Sequence, residues 1–161
     1  MKRRRTIQTA IVTMVSILGL LFSGGVARAD VIVPPGGGGN VCSPYQFIVR
    51  SPNQNVYWQV CAWADNEVWF TIHLGNSGNT SFHVDHVDLG FVRSGVPDLC
   101  SETTFPFGSA SVVIPARSVI RSANAFCDFP RTRAAYQARG MVNDAVLPRP
   151  QDKYSDTLQV Q

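Results

Sequence analysis

From Val41 onward, apolar residues recur at every second position rather than every 3.6. The runs are rich in Val, Ile, Phe, Tyr and Trp, which fit a pleated, half-buried surface. This pattern predicts strands over 45–50, 56–63, 68–74, 81–92, 110–114, 119–126, 134–142 and 157–160. Turn chemistry separates them: Ser51-Pro52-Asn53, Asp65-Asn66, the run from Gly75 to Asn79, Ser94-Gly95 and Pro115-Ala116 all tolerate or preset turn conformations. The clearest alternation sets Val68, Phe70, Ile72 and Leu74 on one face against Glu67, Trp69, Thr71 and His73 on the other. In the next strand the apolar parity changes between Val84 and Val87, which predicts a bulge at Asp85-His86. Helix propensity competes only over 134–139, where the Gly140-Met141-Val142 continuation favours strand. Short antiparallel strands without βαβ alternation imply an all-β fold of two packed sheets, with about seven or eight strands.

Upstream of this domain, the composition changes twice. Residues 1–29 carry the cationic run Lys2-Arg3-Arg4-Arg5, an apolar stretch from about Ala10 to Phe22 and the small-residue site Ala27-Arg28-Ala29. That order is the signature of a removable secretory signal peptide. The apolar stretch is shorter than the ~20 residues of a spanning helix. Val31-Ile32-Val33-Pro34-Pro35 and the glycines 36–39 follow, so 30–40 reads as a Pro/Gly-rich flexible tether and 41–161 as a single domain. Cleavage before Asp30 predicts a secreted, extracellular protein with no membrane insertion afterwards; no cysteine marks the cleavage site for a lipid anchor.

Cleavage also reverses the charge. The full chain has 14 basic and 11 acidic residues, but the leader takes five of the basic ones, leaving nine against eleven, a net −2. Nucleic acid is therefore not an expected partner, since no basic patch remains.

Four cysteines, Cys42, Cys61, Cys100 and Cys127, follow the leader, an even number with no C-x-x-C pair. In an exported small domain this reads as a disulfide framework rather than a zinc or thiol-redox site. Three connectivities are open, and the sequential one, Cys42 with Cys61 and Cys100 with Cys127, is favoured because each bridge then joins a loop or strand edge to a neighbouring strand.

The stretch from Val68 to Asn79, with its N-x-G-N turn, and then Val84, Val87 and Leu89, resembles the strand, turn and strand of bacterial extracellular immunoglobulin-like domains of the cell-adhesion-related type. Ile114-Pro115-Ala116 leading into Val119, and the ending from Tyr154 to Val160, are similar to later strands of such domains. The resemblance implies an immunoglobulin-like β-sandwich with a binding or spacer role and no cofactor.

Candidate chemistry is sparse. His83, Asp85, His86 and Asp88 form the only ionisable cluster, with His73 expected on a neighbouring strand. A bulge would bring His83, Asp85 and His86 to one edge as a speculative metal set, because imidazole and carboxylate share divalent cations. No G-x-S-x-G, H-E-x-x-H or P-loop occurs, and no catalytic residue is assigned. Tyr57, Trp58, Trp63 and Trp69 lie on two adjacent strands. A two-residue loop at Asp65-Asn66 would put Trp58 opposite His73 and Ala62 opposite Trp69, on the face away from Phe70; a longer loop reverses that relation. Trp58 and Trp69 are thus candidates to stack on a ligand.

The expectation is a secreted, non-catalytic binding or surface-associated module. Its partner would be an extracellular polysaccharide or another secreted or surface protein. The alternatives are a small extracellular enzyme with a metal or carboxylate site between Asp85 and Asp88, and a secreted inhibitor presenting the loop from Arg93 to Thr104.

Overall fold

The computed structural model describes residues 30–100, 111–122 and 127–161. Within them the chain is all-β. The strands are β1 (Val31–Val33), β2 (Gly39–Cys42), β3 (Gln46–Arg50), β4 (Asn55–Ala64), β5 (Glu67–Asn76), β6 (Phe82–Val84), β7 (His86–Arg93), β8 (Val96–Leu99), β9 (Val112–Ile114), β10 (Ser118–Arg121), β11 (Asp128–Pro130), β12 (Ala134–Asn143), β13 (Gln151–Tyr154) and β14 (Leu158–Val160). One sheet runs β1-β14-β12-β7-β8, with β13 also beside β12; the other runs β10-β5-β4-β2, with β3 beside β4 and β11 beside β5. The strands β6 and β9 make a separate ribbon. Pairing is antiparallel throughout except for β1 on β14.

The inner faces of the two sheets share one hydrophobic cluster, in which Val60, Phe70, Ile72 and Leu74 meet Val87, Leu89, Tyr136 and Leu158. Trp58 is its largest fully buried side chain, at 0% exposure. Its indole Nε1–H donates to Gln151 Oε1 at 2.7 Å, and Gln151 Nε2 donates to the Phe47 carbonyl at 3.0 Å. A buried indole thus keeps a partner. Space for the ring comes from Gly140 on the facing sheet, where a Cβ would stand 2.9 Å from Trp58 Cζ3 and 2.3 Å from Val60 Cγ1.

Both disulfides link sequential cysteines, Cys42 with Cys61 and Cys100 with Cys127. Cys42 lies directly opposite Cys61 in the β2–β4 register. The neighbouring pair carries the hydrogen bonds: Ser43 N–H donates to the Val60 carbonyl, and Val60 N–H donates to Ser43 Oγ. Cys42 and Cys61 therefore occupy a non-hydrogen-bonded position, where Cα atoms come closest and a bridge fits; here they are 4.0 Å apart.

Several expectations need correction. The segment 30–40 is built into the fold: Val31–Val33 pairs with Leu158–Val160, Val33 is 1% exposed, and Gly39–Cys42 pairs with β4. Arg131 explains why such a composition is ordered. Its guanidinium donates to the carbonyls of Pro34, Gly37 and Asp65, fastening the Pro-Gly turn to the β4–β5 turn. Asp85 marks a strand break rather than a bulge within one strand. The chain leaves the β6–β9 ribbon at Val84 and enters the larger sheet at His86, so the parity change records a switch of partner. The strands β1, β2, β8, β11 and β13 lie outside the expected ones. The ends of the expected strands at Ala110 and Phe126 lie outside the described residues.

Candidate functional site

The β4–β5 hairpin carries most of the ring side chains, and its register decides where they point. Asp65 N–H donates to the Glu67 carbonyl, while Glu67 N–H donates to Asp65 Oδ1. This side-chain turn shifts the pairing by one residue from a two-residue hairpin, so Trp58 faces Leu74 and Trp63 faces Trp69. The expected pairs, Trp58 with His73 and Ala62 with Trp69, do not form. Trp58 belongs to the core and cannot stack on a ligand. Trp69 lies on the outer face, partly exposed, in parallel contact with Trp63 at 4.7 Å between ring centroids.

The outer face has a regular layout. At one end, Phe47, Tyr57, Gly75 and Val119 form a cross-strand row over β3, β4, β5 and β10. The Tyr57 ring lies over Gly75, whose missing Cβ would sit 2.3 Å from Tyr57 Cζ. Tyr45 meets Tyr57 edge-on at 5.2 Å and is 56% exposed, and Val119 is 61% exposed. At the other end stands the row Asn40, Trp63, Trp69 and Asp128. Between them lie Gln59, His73 and Arg121, and then the Cys42–Cys61 bridge beside Thr71.

Hydrogen bonds fix the second row to this polar centre. Trp63 Nε1–H donates to Thr71 Oγ1 at 3.2 Å, and Thr71 Oγ1 lies 3.1 Å from His73 Nε2. With the Thr71 hydroxyl donating, His73 Nε2 accepts and the ring proton sits on Nδ1. That is the neutral imidazole. Burial, and then the nearby charge of Arg121, hold the His73 pKa below its ordinary value and favour this form.

The ionisable cluster expected to hold a metal does not converge. His83 Nδ1 is 3.4 Å from Asp85 Oδ1 on the ribbon side, whereas His86 Nε2 pairs with Asp88 Oδ2 at 2.8 Å on the outer face of the other sheet. The strand break at Asp85 separates the two pairs. Asp85 Oδ2 is occupied by Ala145 N–H, and Asp144 in turn accepts from the N–H groups of Asp85 and Val146. These carboxylates latch a loop. Among the described residues no three of His, Cys, Asp and Glu come together as a metal site.

The proposed inhibitory loop is also different from expectation. Arg93 pairs with Val96 across Ser94-Gly95, both at positive φ, making a two-residue hairpin whose second strand is β8. Thr104 lies outside the described residues. A cleft of about 510 Å³ beside this hairpin is lined by Phe91, Phe129 and Tyr136, with Arg93 and Asp98 at its walls. Two further clefts, of about 440 and 550 Å³, lie along 148–153 and beside Ile32 and Gln159. None of the three includes Tyr57, Trp63, Trp69 or His73.

Of the predicted stacking residues, then, only Trp69 reaches the surface. Its partner Trp63 and the Tyr45, Phe47 and Tyr57 group were missed as site residues. A signal for the latter existed: Gly75 ends a strongly alternating strand, and a glycine there marks a close approach by another group. No protein-family model, curated protein or solved structure matches the chain.

Proposed function

We propose that this chain is an exported, immunoglobulin-like binding module without catalytic machinery, and that the outer face of β4 and β5 is its contact surface. The leader composition and two disulfides support export. Strand order supports the immunoglobulin-like reading: β5 pairs with β10 and β11, while β7, β12 and β14 lie side by side in the opposite sheet. So does Tyr136 near the start of β12, whose hydroxyl donates to the Thr132 carbonyl four residues upstream at 3.2 Å. Immunoglobulin domains use such a tyrosine corner two residues before a bridging cysteine; here the buried Ala138 takes that position.

The observation that carries the binding role is the set of rings left on a solvent-facing sheet, with Trp63 held by the Thr71 hydroxyl and stacked on Trp69. Scattered apolar residues need no explanation, but two ordered rows on one face do. The isolated His–Asp pairs, by contrast, supply neither a converged metal set nor a nucleophile held by a base.

The test is to express the full chain with its leader in a secreting bacterial host and compare cell-surface with free protein. A Trp63→Ala/Trp69→Ala double variant is expected to move to the free fraction while keeping a cooperative unfolding transition. An unchanged distribution contradicts the assignment of this face.

A further inference from the structure

We infer that the outer face of β4 and β5 takes a neutral polysaccharide, laid along the strands from the Tyr57 row to the Trp63–Trp69 row; this rests on the binding-face reading above. The first support is the arrangement of polarity. A protein–protein interface has an apolar centre and a polar rim. This face is the reverse, with Gln59, His73 and Arg121 at its centre and rings at its two ends.

The second support is the kind of apolar group present. Along the strand positions of this face Val119 and Pro130 are the aliphatic residues, and the other large apolar groups are aromatic. Rings offer flat faces to the C–H surfaces of sugars. Six residues separate Tyr57 from Trp63, a span of about 20 Å along a strand. An extended polymer can touch both rows; a single sugar cannot.

The third support is the donor and acceptor set between the rows. The Gln59 amide can both donate and accept, and His73, whose Nε2 is engaged by the Thr71 hydroxyl, offers its Nδ1–H as a donor, which suits hydroxyl groups. Charges on the face are of both signs, with Arg50 and Arg121 against Glu67 and Asp128. No single-sign field favours an anionic polymer. The larger clefts lie elsewhere, so the ligand meets a surface, as a long chain or its packed bundle would.

Secreted, leader-free protein is to be incubated with insoluble cellulose, chitin and a β-1,3-glucan, and titrated with their soluble oligosaccharides while the three indole N–H signals are followed by NMR. Retention on at least one polymer is expected, weakened about tenfold by Trp69→Ala and by Gln59→Ala. Gln59→Ala leaves the rings in place and guards against a merely misfolded variant. The Trp63 and Trp69 indole signals should shift and the Trp58 signal should not. Failure to bind all three polymers overturns the inference, as does undiminished retention of both variants. If polymers are not bound but the Trp63→Ala/Trp69→Ala variant still leaves the cell surface, the glycan assignment falls and the binding face stands. If neither effect is seen, both fall.

Discussion

Trp58 and Trp63 stand five residues apart on β4, and that odd spacing sends them to opposite sides of one sheet. Inward, Trp58 is enclosed, its N–H taken by Gln151 and its ring accommodated by Gly140. Outward, Trp63 leans on Trp69 and borrows its hydrogen bond from Thr71. Both indoles are positioned, but only one is sealed. The inner ring is held by volume, since interiors are packed as densely as organic crystals; the outer one is held by a neighbour and a hydroxyl, leaving apolar surface available. The same residue type thus serves stability on one face and, in the function proposed above, recognition on the other.

Substitutions on the two faces separate the roles of the indoles. Trp58→Ala opens a cavity in a fully buried site and should cost about 3–5 kcal/mol in a urea or guanidinium titration. Gly140→Ala attacks the same packing from the facing sheet without removing the ring. The added Cβ overlaps Val60 and Trp58, so a loss of about 1–3 kcal/mol is expected by the same measurement. Trp69→Ala removes one half of the outer stack and should cost ~1 kcal/mol, with its main effect on surface association. A destabilisation as large as that of Trp58→Ala would erase the distinction between the faces.

The smallest effect is a pH dependence from His73. Its folded pKa lies below the ordinary 6.5, so between that lowered value and 6.5 the unfolded chain binds more protons than the folded one. The His73 contribution is therefore full above about pH 6.5 and declines as pH falls through the lowered pKa. Comparing urea midpoints at several pH values, the native chain should lose more stability on acidification than His73→Gln. Identical slopes would remove His73 from the account.

Much of the fold was legible because alternation reports burial directly. The inner and outer residues of β5 follow from the pattern alone, and the cysteines are bridged in sequential pairs, Cys42–Cys61 across neighbouring strands and Cys100–Cys127 between the end of β8 in one sheet and the start of β11 in the other. The parity change at Asp85 was also visible, although its cause, a change of partner from β9 to β12, is a long-range fact. What escaped was set by single contacts. One side-chain turn at Asp65 moved Trp58 from the outer face to the core, since a one-residue slip reverses every side chain. Three carbonyl bonds from Arg131 converted an expected tether into part of the structure. Composition gives no view of a partner ninety residues away.

The candidate site was less legible than the fold for the same reason. Tyr57 and Trp63 were recognisable as aromatic, but their grouping into two rows depends on β3, β10 and β11 lying at either side of the hairpin. Their value as a surface depends on what does not cover them.

Hydroxyl-radical footprinting of the three tryptophans, read by mass spectrometry on protein free in solution and bound at the cell surface, tests the division of the two faces most directly. Trp58 should remain unlabelled in both states, while Trp63 and Trp69 should be labelled in the free protein and protected in the bound one. Labelling of Trp58 in the folded free protein, or equal labelling of Trp63 and Trp69 in both states, would contradict it.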